Sequence, residues 1–367
     1  MNQLYKYLEN GEKVILSSQI AQGGEGAVYR TALPAGMAVK LYHESRKDRE
    51  KKLRALLRKH LSDTLEGCLI AAVPKELVYD ESGDFAGYLM PMISSRIDLN
   101  DFRQEELRKT YFPGSDWRDL LTLSYNLAEC VDHMHQSGIV LGDVNPRNFL
   151  VRSDLTLCLV DVDSCCVSDP DTGEYFPCTV GMSSLLAPEL QGINLADGAP
   201  FTQASDCFSL AVLIFLLLMG CHPFLCAKET PAAEEISAGM EIMQGNSAYF
   251  RQIENRRIPS YAPSLEILTP RVRELFARTF AYTGEDLPDQ IGNRPTAREW
   301  MDALLHMAMQ PYKKCAENPA HCYLDTLPEC PFCKVEKRSE PIGRLENASV
   351  LPLFPISFST QRFSSSL

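Results

Sequence analysis

This chain of 367 residues has no apolar stretch long enough to cross a bilayer. Its longest apolar run, Phe208 to Met219 with Ser209 inside it, falls short of the about 20 residues that span a hydrocarbon core. Its first residues, Met1 to Val14, are polar and lack the basic-then-apolar order of a secretory signal. Both absences point to a cytoplasmic protein without a membrane partner. An excess of positive charge is missing too. The chain has 36 Lys and Arg against 48 Asp and Glu, a net charge of −12, which opposes binding to nucleic acid or anionic lipid because both reward positive charge. A disordered composition is also excluded, since 45% of the residues are hydrophobic, and the length allows two or three domains at about 150 residues each.

Cysteine is abundant, with thirteen in the chain, nine of them spread from Cys68 to Cys226 in apolar settings. Those nine read as small buried hydrophobes. The other four cluster with a histidine between Cys315 and Cys333, where Cys330-Pro-Phe-Cys333 has the spacing that lets two thiolates grip one tetrahedral zinc. Four ligands can be drawn as Cys315, His321, Cys330 and Cys333, or with Cys322 in place of His321; His321 is preferred. A redox pair should open a helix in a βαβ unit, whereas this pair closes a short proline-rich segment, so structural zinc is the better reading. A module of this size, residues 310–333, depends on its metal for stability. Beyond it, residues 334–367 lack helical period and read as a mostly flexible tail, within which Val350 to Phe358 is an alternative docking segment.

Several segments ahead of this module share a logic of phosphate chemistry. Ile20 to Tyr29 reads as strand, glycine turn, strand, with Gly23, Gly24 and Gly26 in the turn and Val28 beyond it. Glycine lets a backbone approach phosphate oxygens and present its N–H groups to them. Met37-Ala-Val-Lys-Leu41 is an apolar strand carrying Lys40. Ser45 to Leu61 has a helical pattern in which Glu50, Leu53 and Leu57 share one face. Its opposite face carries Arg46, Lys47, Lys51, Lys52, Arg54, Arg58 and Lys59, which reads as a solvated face rather than a nucleic-acid contact. Then follow Gly87-Tyr-Leu-Met-Pro-Met-Ile93, Leu141-Gly-Asp-Val-Asn-Pro-Arg-Asn148, Leu159-Val-Asp-Val-Asp163, Ala187-Pro-Glu189, the apolar helix beginning near Asp206, and Asn293-Arg-Pro-Thr296.

In order and wording, residues from about Ile15 to Met309 resemble a protein kinase. The resemblance implies an α+β, two-lobed fold: a small β-rich N-lobe over residues 1–93 and a large helical C-lobe over 94–309, followed by the small zinc-ribbon-like module. It implies ATP and magnesium as cofactors and a protein Ser/Thr hydroxyl as acceptor. Lys40, fixed by Glu50, orients the α and β phosphates, with Glu66 and Glu76 as alternative partners. Asn148 and Asp161 hold magnesium, and Asp143 positions the acceptor hydroxyl. Met90 gates the pocket behind adenine, and the backbone of Pro91, Met92 and Ile93 meets the adenine edge. Arg294 pairs with Glu189. The wording of the catalytic segments, with the terminal knuckle, resembles a bacterial kinase-like group, some of whose members are linked to phosphatases and von Willebrand-type domains in stress responses.

Departures from the pattern set limits on that carry-over. Ala21 stands where the first loop glycine is expected, and Leu141 and Gly142 replace His and Arg. Without that arginine, phosphorylation at Thr172, Thr179, Ser183 or Ser184 is not expected to be the on-switch. Asn145 replaces a lysine near the transferred phosphate and Met182 the threonine that contacts it, so slow transfer is expected. The Asp161-Val-Asp163 segment lacks a flipping glycine, and if extended it aims only Asp161 at the phosphates, leaving Asp163 to cap a turn with Ser164. Two further readings stay open: a pseudokinase scaffold, and transfer of another part of ATP to protein. The zinc module or the tail offers partner docking in each.

Overall fold

The computed structural model describes residues 4–44, 47–95, 97–225, 227–228, 237–254, 256–283, 285–318 and 321–339. The tail from residue 340, including Val350 to Phe358, lies outside the described residues, as do Ser45 and Arg46. Compactness divides the chain into two units: Met1–Leu99 with Glu129–Thr179 and Asn194–Gln203, and Asn100–Ala128 with Val180–Ile193 and the residues from Ala204 onward. This partition is not the expected division after Ile93, because it groups the segment that carries Asp143 and Asp161 with the N-terminal strands.

The first unit is built on a closed six-stranded barrel. Strands β1 (Tyr5–Leu8), β2 (Lys13–Gln22), β3 (Gly26–Leu33) and β4 (Met37–Tyr42) form consecutive antiparallel neighbours. Helix α1 (Lys47–Arg58) and the short hairpin of β5 (Thr64–Leu65) and β6 (Cys68–Leu69) come next, and β7 (Glu76–Tyr79) and β8 (Phe85–Pro91) close the ring. Alternate residues point inward, so Leu8, Val14, Leu16, Val39, Val78 and Leu89 meet in one apolar core. A second sheet, in the order β11-β10-β9, is made by β9 (Ile97–Asp98), β10 (Phe149–Val151) and β11 (Leu157–Leu159), with the hairpin of β12 (Val167–Ser168) and β13 (Tyr175–Phe176) following.

The second unit is helical. It contains α2 (Leu99–Phe102), α3 (Glu105–Tyr111) and the first part of α4 (Trp117–Gln136), then α5 (Gln203–Met219), α6 (Ala238–Met243), α7 (Pro270–Phe280), α8 (Leu287–Asn293) and α9 (Ala297–Ala308). Helix α5 is buried all round from Ser205 to Met219, as a helix without a polar face must be. Its Phe208 and Phe215 pack edge-on against Phe280, and Phe276 adjoins Trp300, making an aromatic centre. Helix α9 opens with a capping box between Thr296 and Glu299. Minor strands β14 (Ala227–Lys228) and β15 (Arg256–Arg257) pair, and a hairpin of β16 (Tyr312–Lys314) and β17 (Cys322–Leu324) precedes α10 (Pro331–Ser339). Helix α10 runs past Cys333, so the C-terminal module extends beyond the boundary expected at that cysteine. Among the described residues no helix is long and apolar enough to cross a membrane.

Candidate active site and a C-terminal Cys/His cluster

The first unit sets several of the expected site residues along β4 and the two strands beside it. Lys40 sits opposite Val28 of β3 and Tyr88 of β8. Gly26 and Gly87 flank β4 where a Cβ would lie 2.2 Å from the Leu41 carbonyl oxygen and 1.9 Å from the Lys40 carbonyl oxygen, so only glycine lets these strands approach. The glycine turn is closed by the Gly23 N–H donating to the Gly26 carbonyl at 2.9 Å. It is tied down by the His43 N–H on the Glu25 carbonyl at 2.9 Å and by Arg49 on the Glu25 carboxylate at 2.9 Å. Met90 is buried on β8. The Met92 N–H already donates to the Gly36 carbonyl at 3.1 Å, so of the expected Pro91 to Ile93 edge the Met92 amide is committed elsewhere.

The catalytic-loop candidates are set by a turn and a sheet. Asn145 caps a one-turn 3-10 helix, Pro146–Asn148, by accepting from the Arg147 N–H, and the chain then enters β10. Asn145 and Asn148 both donate to one carboxylate oxygen of Asp143, at 2.6 and 3.2 Å. Burial, and then the charge of Asp161, push the Asp143 carboxyl up to about 6 against those hydrogen bonds. Gly142 has φ +73°, and a Cβ there would lie 2.5 Å from the Cys178 Cβ. The place of the expected arginine is thus filled by Cys178 packing.

Past β11 the backbone does not stay extended. Asp161 takes the left-handed conformation (φ 62°, ψ 34°), which Asp tolerates better than most residues, and Val162–Ser164 form a 3-10 turn. This overturns the expectation that only Asp161 faces the site. Lys40 pairs with Asp161 and also, at 2.8 Å, with Asp163. The Ser164 hydroxyl closes the turn on the Asp161 carbonyl instead of meeting the Asp163 side chain. Asp163 is only 6% exposed, against 36% for the Asp161 side chain. Burial works against the Asp163 charge, but Lys40 and the hydroxyls of Tyr42 and Tyr88 hold its carboxyl down to about 2. Burial, then the neighbouring Asp163 charge, raise Asp161.

The expected Lys40–Glu50 pair is absent. Glu50 accepts from Arg54 at 2.9 Å and from the Tyr79 hydroxyl at 3.2 Å. The apolar face of α1 is centred on Leu53 and Leu56, with Leu57 only half buried. Glu50 and Lys52, about 200° apart around the axis, therefore fall on opposite flanks. The flank that meets the site segment carries Lys52, which donates to the Ser164 and Pro177 carbonyls at 3.1 Å each. Glu66, in a turn at φ 49°, and Glu76, exposed on β7, do not take the role either. Basic residues of α1 are engaged by carboxylates: Arg49 by Glu25, Arg54 by Glu9, and Arg58 by Asp169. The expected solvated face holds only in part, since Lys52 and Arg58 bind groups within residues 164–177 of the same unit.

Sequence reasoning missed Asp163, Tyr42 and Tyr88 as members of the site. Tyr42 lies two residues from Lys40 and Tyr88 directly across from it, so the strand period puts all three on one face. That signal was available in the sequence once the β4–β8 register is known.

In the second unit, the ligand atoms of Cys315, His321, Cys330 and Cys333 all lie within 4.8 Å of one another. The β16–β17 hairpin sets Lys314 against Cys322, so the residues at its loop end, Cys315 and His321, come together, with the Cys315 N–H donating to the His321 carbonyl at 2.9 Å. Cys322, buried within β17, is outside the cluster, as alternation along a strand requires once His321 faces it. His321 Nδ1 is 3.5 Å from Cys333 Sγ and 3.6 Å from Cys330 Sγ, and Cys315 and Cys333 Sγ are 3.5 Å apart. Ligands around a tetrahedral zinc are separated by about 3.5–3.8 Å. The knuckle does open a helix, α10, contrary to the expectation, but it follows an antiparallel hairpin and not a βαβ unit. His321 Nε2 meets Glu336 at 3.2 Å, which turns the Nδ1 lone pair toward the sulfurs. Burial, followed by the hydrogen bonds with Cys315 and Cys330, pushes the Cys333 thiol up to about 12. Phe332 lies against His321 and Trp117, and Trp117 donates to the Leu218 carbonyl at 3.0 Å, seating the module on α4 and α5.

Comparison with known proteins bears on this arrangement directly. Residues 15–311 match the protein kinase domain. The chain is 28% identical over 340 residues to "Protein kinase YegI" of Escherichia coli K12, covering 90% of this chain and 50% of that protein. It is 28% identical over 127 residues to "Serine/threonine-protein kinase cds1" of Schizosaccharomyces pombe, covering 34% of this chain and 27% of that protein. It is 32% identical over 108 residues to "Serine/threonine-protein kinase UCN" of Arabidopsis thaliana, covering 28% of this chain and 25% of that protein. The chain spans about half the length of the YegI relative it matches. With Lys40, Asp143, Asn148 and Asp161 carried by one compact unit within the matched span, the chain belongs to the protein kinase domain family.

Proposed function

We propose that this chain is an ATP- and magnesium-dependent protein kinase that transfers the γ-phosphoryl group to a Ser or Thr hydroxyl of a protein. The observation that carries the reading is the charge balance of the site. Asp143, Asp161 and Asp163 supply three carboxylates and Lys40 one ammonium, minus three plus one, leaving an excess of two negative charges in the site. The oxygen donors of Asn148 and Asp161 suit magnesium, a hard divalent cation.

Lys40 would orient the α and β phosphates from β4, and the Gly23–Gly26 turn would cover them with backbone N–H groups. Asn148 and Asp161 would hold magnesium, which would supply neutralisation of phosphate charge. Asp143, held by the amides of Asn145 and Asn148, would position the acceptor hydroxyl and receive its proton as the acceptor oxygen bonds the γ-phosphorus and the bond to the departing ADP breaks. An amide at Asn145 stabilises no developing negative charge as a lysine would, so transfer is slow, by about 10²-fold if it equals loss of one stabilising donor. The C-terminal cluster is proposed to hold a structural zinc through Cys315, His321, Cys330 and Cys333, with the module bracing α4 through Trp117. Cytoplasmic location, a link to phosphatase-associated stress signalling and partner docking by the module or the tail belong to the same proposal.

Intact-mass spectrometry of the protein with a generic acceptor, ATP and magnesium, beside Asp143→Asn, tests it. A gain of about 80 Da confined to the wild type is the expected result. A larger adduct containing adenylate identifies transfer of another part of ATP. No gain on either protein identifies a nucleotide-responsive scaffold.

A further inference from the structure

Lys40 is the residue whose position a kinase must fix, and here its anchor is not on helix α1. We propose that Asp163 is the positioning residue for Lys40, in place of the helix carboxylate, so that the lysine is set by a carboxylate of the turn after β11 and not by one on α1. The inference rests on the kinase reading above.

Three donors converge on the Asp163 carboxylate: Lys40 at 2.9 and 2.8 Å, the Tyr42 hydroxyl at 2.5 Å and the Tyr88 hydroxyl at 2.8 Å. All three arise from adjacent strands, on one face, by the register of β4 and β8. Burial raises both tyrosines far above their ordinary range, so each hydroxyl keeps its proton and donates it to the carboxylate. A carboxylate 6% exposed with its oxygens taken by four bonds is held in one place. It therefore fixes the ammonium in place. Asp161, more exposed on the same turn, touches the same ammonium while keeping its outer edge for a cation.

Helix α1 has taken a different task. Lys52 holds the carbonyls of Ser164 and Pro177, Arg58 holds Asp169 and Asp171, and Lys51 reaches Glu174 at 3.9 Å. One helix face thus straps residues 164–177, directly after Asp163. The fold supplies by cation-to-carbonyl and cation-to-carboxylate bonds the ordering of this segment that an arginine and a phosphate supply elsewhere. Glu50, tied to Arg54 and Tyr79, is outside the chain of contacts that ends at Lys40.

The test compares Lys40→Met, Asp163→Asn, Asp163→Glu, Tyr88→Phe and Glu50→Gln in the full chain, measuring KM for ATP and kcat separately, with circular dichroism as the folding control. Asp163→Asn and Lys40→Met should each lower kcat/KM by about 10²-fold, with no further loss when combined, because both remove the same positioned charge. Asp163→Glu should recover part of the loss, and Tyr88→Phe should fall between it and wild type. Glu50→Gln should match wild type within about twofold. Additive losses for Lys40→Met and Asp163→Asn overturn the proposal, since a purely structural Asp163 acts independently of the ammonium. A Glu50→Gln loss equal to that of Lys40→Met also overturns it, and stands as the deciding result if Asp163→Asn does not fold. No effect of Lys40→Met on either constant overturns the kinase reading itself.

Discussion

Arg294 grips Glu189 through two parallel bonds, Nη1 to Oε1 at 2.6 Å and Nη2 to Oε2 at 2.7 Å. The guanidinium side chain is 1% exposed, lies over the Phe208 ring and donates further to the Ala204 carbonyl and the Gln290 side chain. Two motifs far apart in sequence thereby close on each other within the second unit, and the planar fork is what a lysine lacks. Arg294→Met should leave Glu189 without its partner and cost about 3 kcal/mol, read by urea unfolding. Arg294→Lys should recover less than half of that loss.

His222 gives this unit a defined acid sensitivity. Its Nδ1 accepts from the Phe224 N–H at 3.2 Å, which only a neutral ring can do, while Nε2 donates to the Ser184 carbonyl at 2.7 Å. Burial lowers its pKa to about 4 from the ordinary 6.5. The unfolded chain therefore binds a proton that the folded chain refuses between those values. Stability is complete above pH 6.5 and declines as pH falls toward 4, by about 3 kcal/mol in all from this group. Urea midpoints at pH 7.5 and 5 should differ in the wild type, and the difference should shrink in His222→Gln.

Gly142 carries two constraints, a positive φ and a Cβ position 2.8 Å from the Cys178 sulfur. Restoring arginine there should unfold or strongly destabilise the protein, by about 2 kcal/mol or more, where a surface arginine would cost little. For the same reason the combined Thr172→Ala, Thr179→Ala, Ser183→Ala, Ser184→Ala variant should keep its rate of phosphoryl transfer, measured by intact mass. Loss of transfer in that variant would sink the reading of a segment ordered without phosphate.

Zinc removal should be visible locally. Trp117 packs against Tyr312 and Phe332, with ring centroids 6.4 and 6.2 Å away, so chelation of the purified protein should shift tryptophan emission while leaving the rest of the far-ultraviolet spectrum nearly intact. Glu336→Gln should weaken zinc binding by about tenfold through its hold on His321. An unchanged emission on chelation, with metal analysis showing no zinc in the untreated protein, would remove the metal from the module.

Much of this molecule was legible before any tertiary information. The glycine turn, Lys40, Asp143, Asn148 and Asp161 stand in segments a few residues long that resemble kinase motifs, so they could be singled out as candidates from the sequence. The pairing of Arg294 with Glu189 was legible as well, through the resemblance those two segments carry. The Cys330-Pro-Phe-Cys333 spacing located the cluster, but the choice between His321 and Cys322 needed the β16–β17 register, since neighbouring strand residues face opposite sides.

The partner of Lys40 was decided by tertiary structure. From sequence, Glu50 shared a helical face with leucines and Asp163 looked like a turn cap. Whether a carboxylate reaches an ammonium depends on the rotation of α1 about its axis and on the left-handed turn at Asp161. Rotation is set by which side chains pack beneath the helix, Leu53 and Leu56, and the turn by contacts among β4, β8 and residues 161–164. Sequence determined which ionisable groups this protein has and in what order. Packing decided which of them meet, because an ion pair forms where two rigid elements happen to bring charges within reach, and no local spacing encodes that distance.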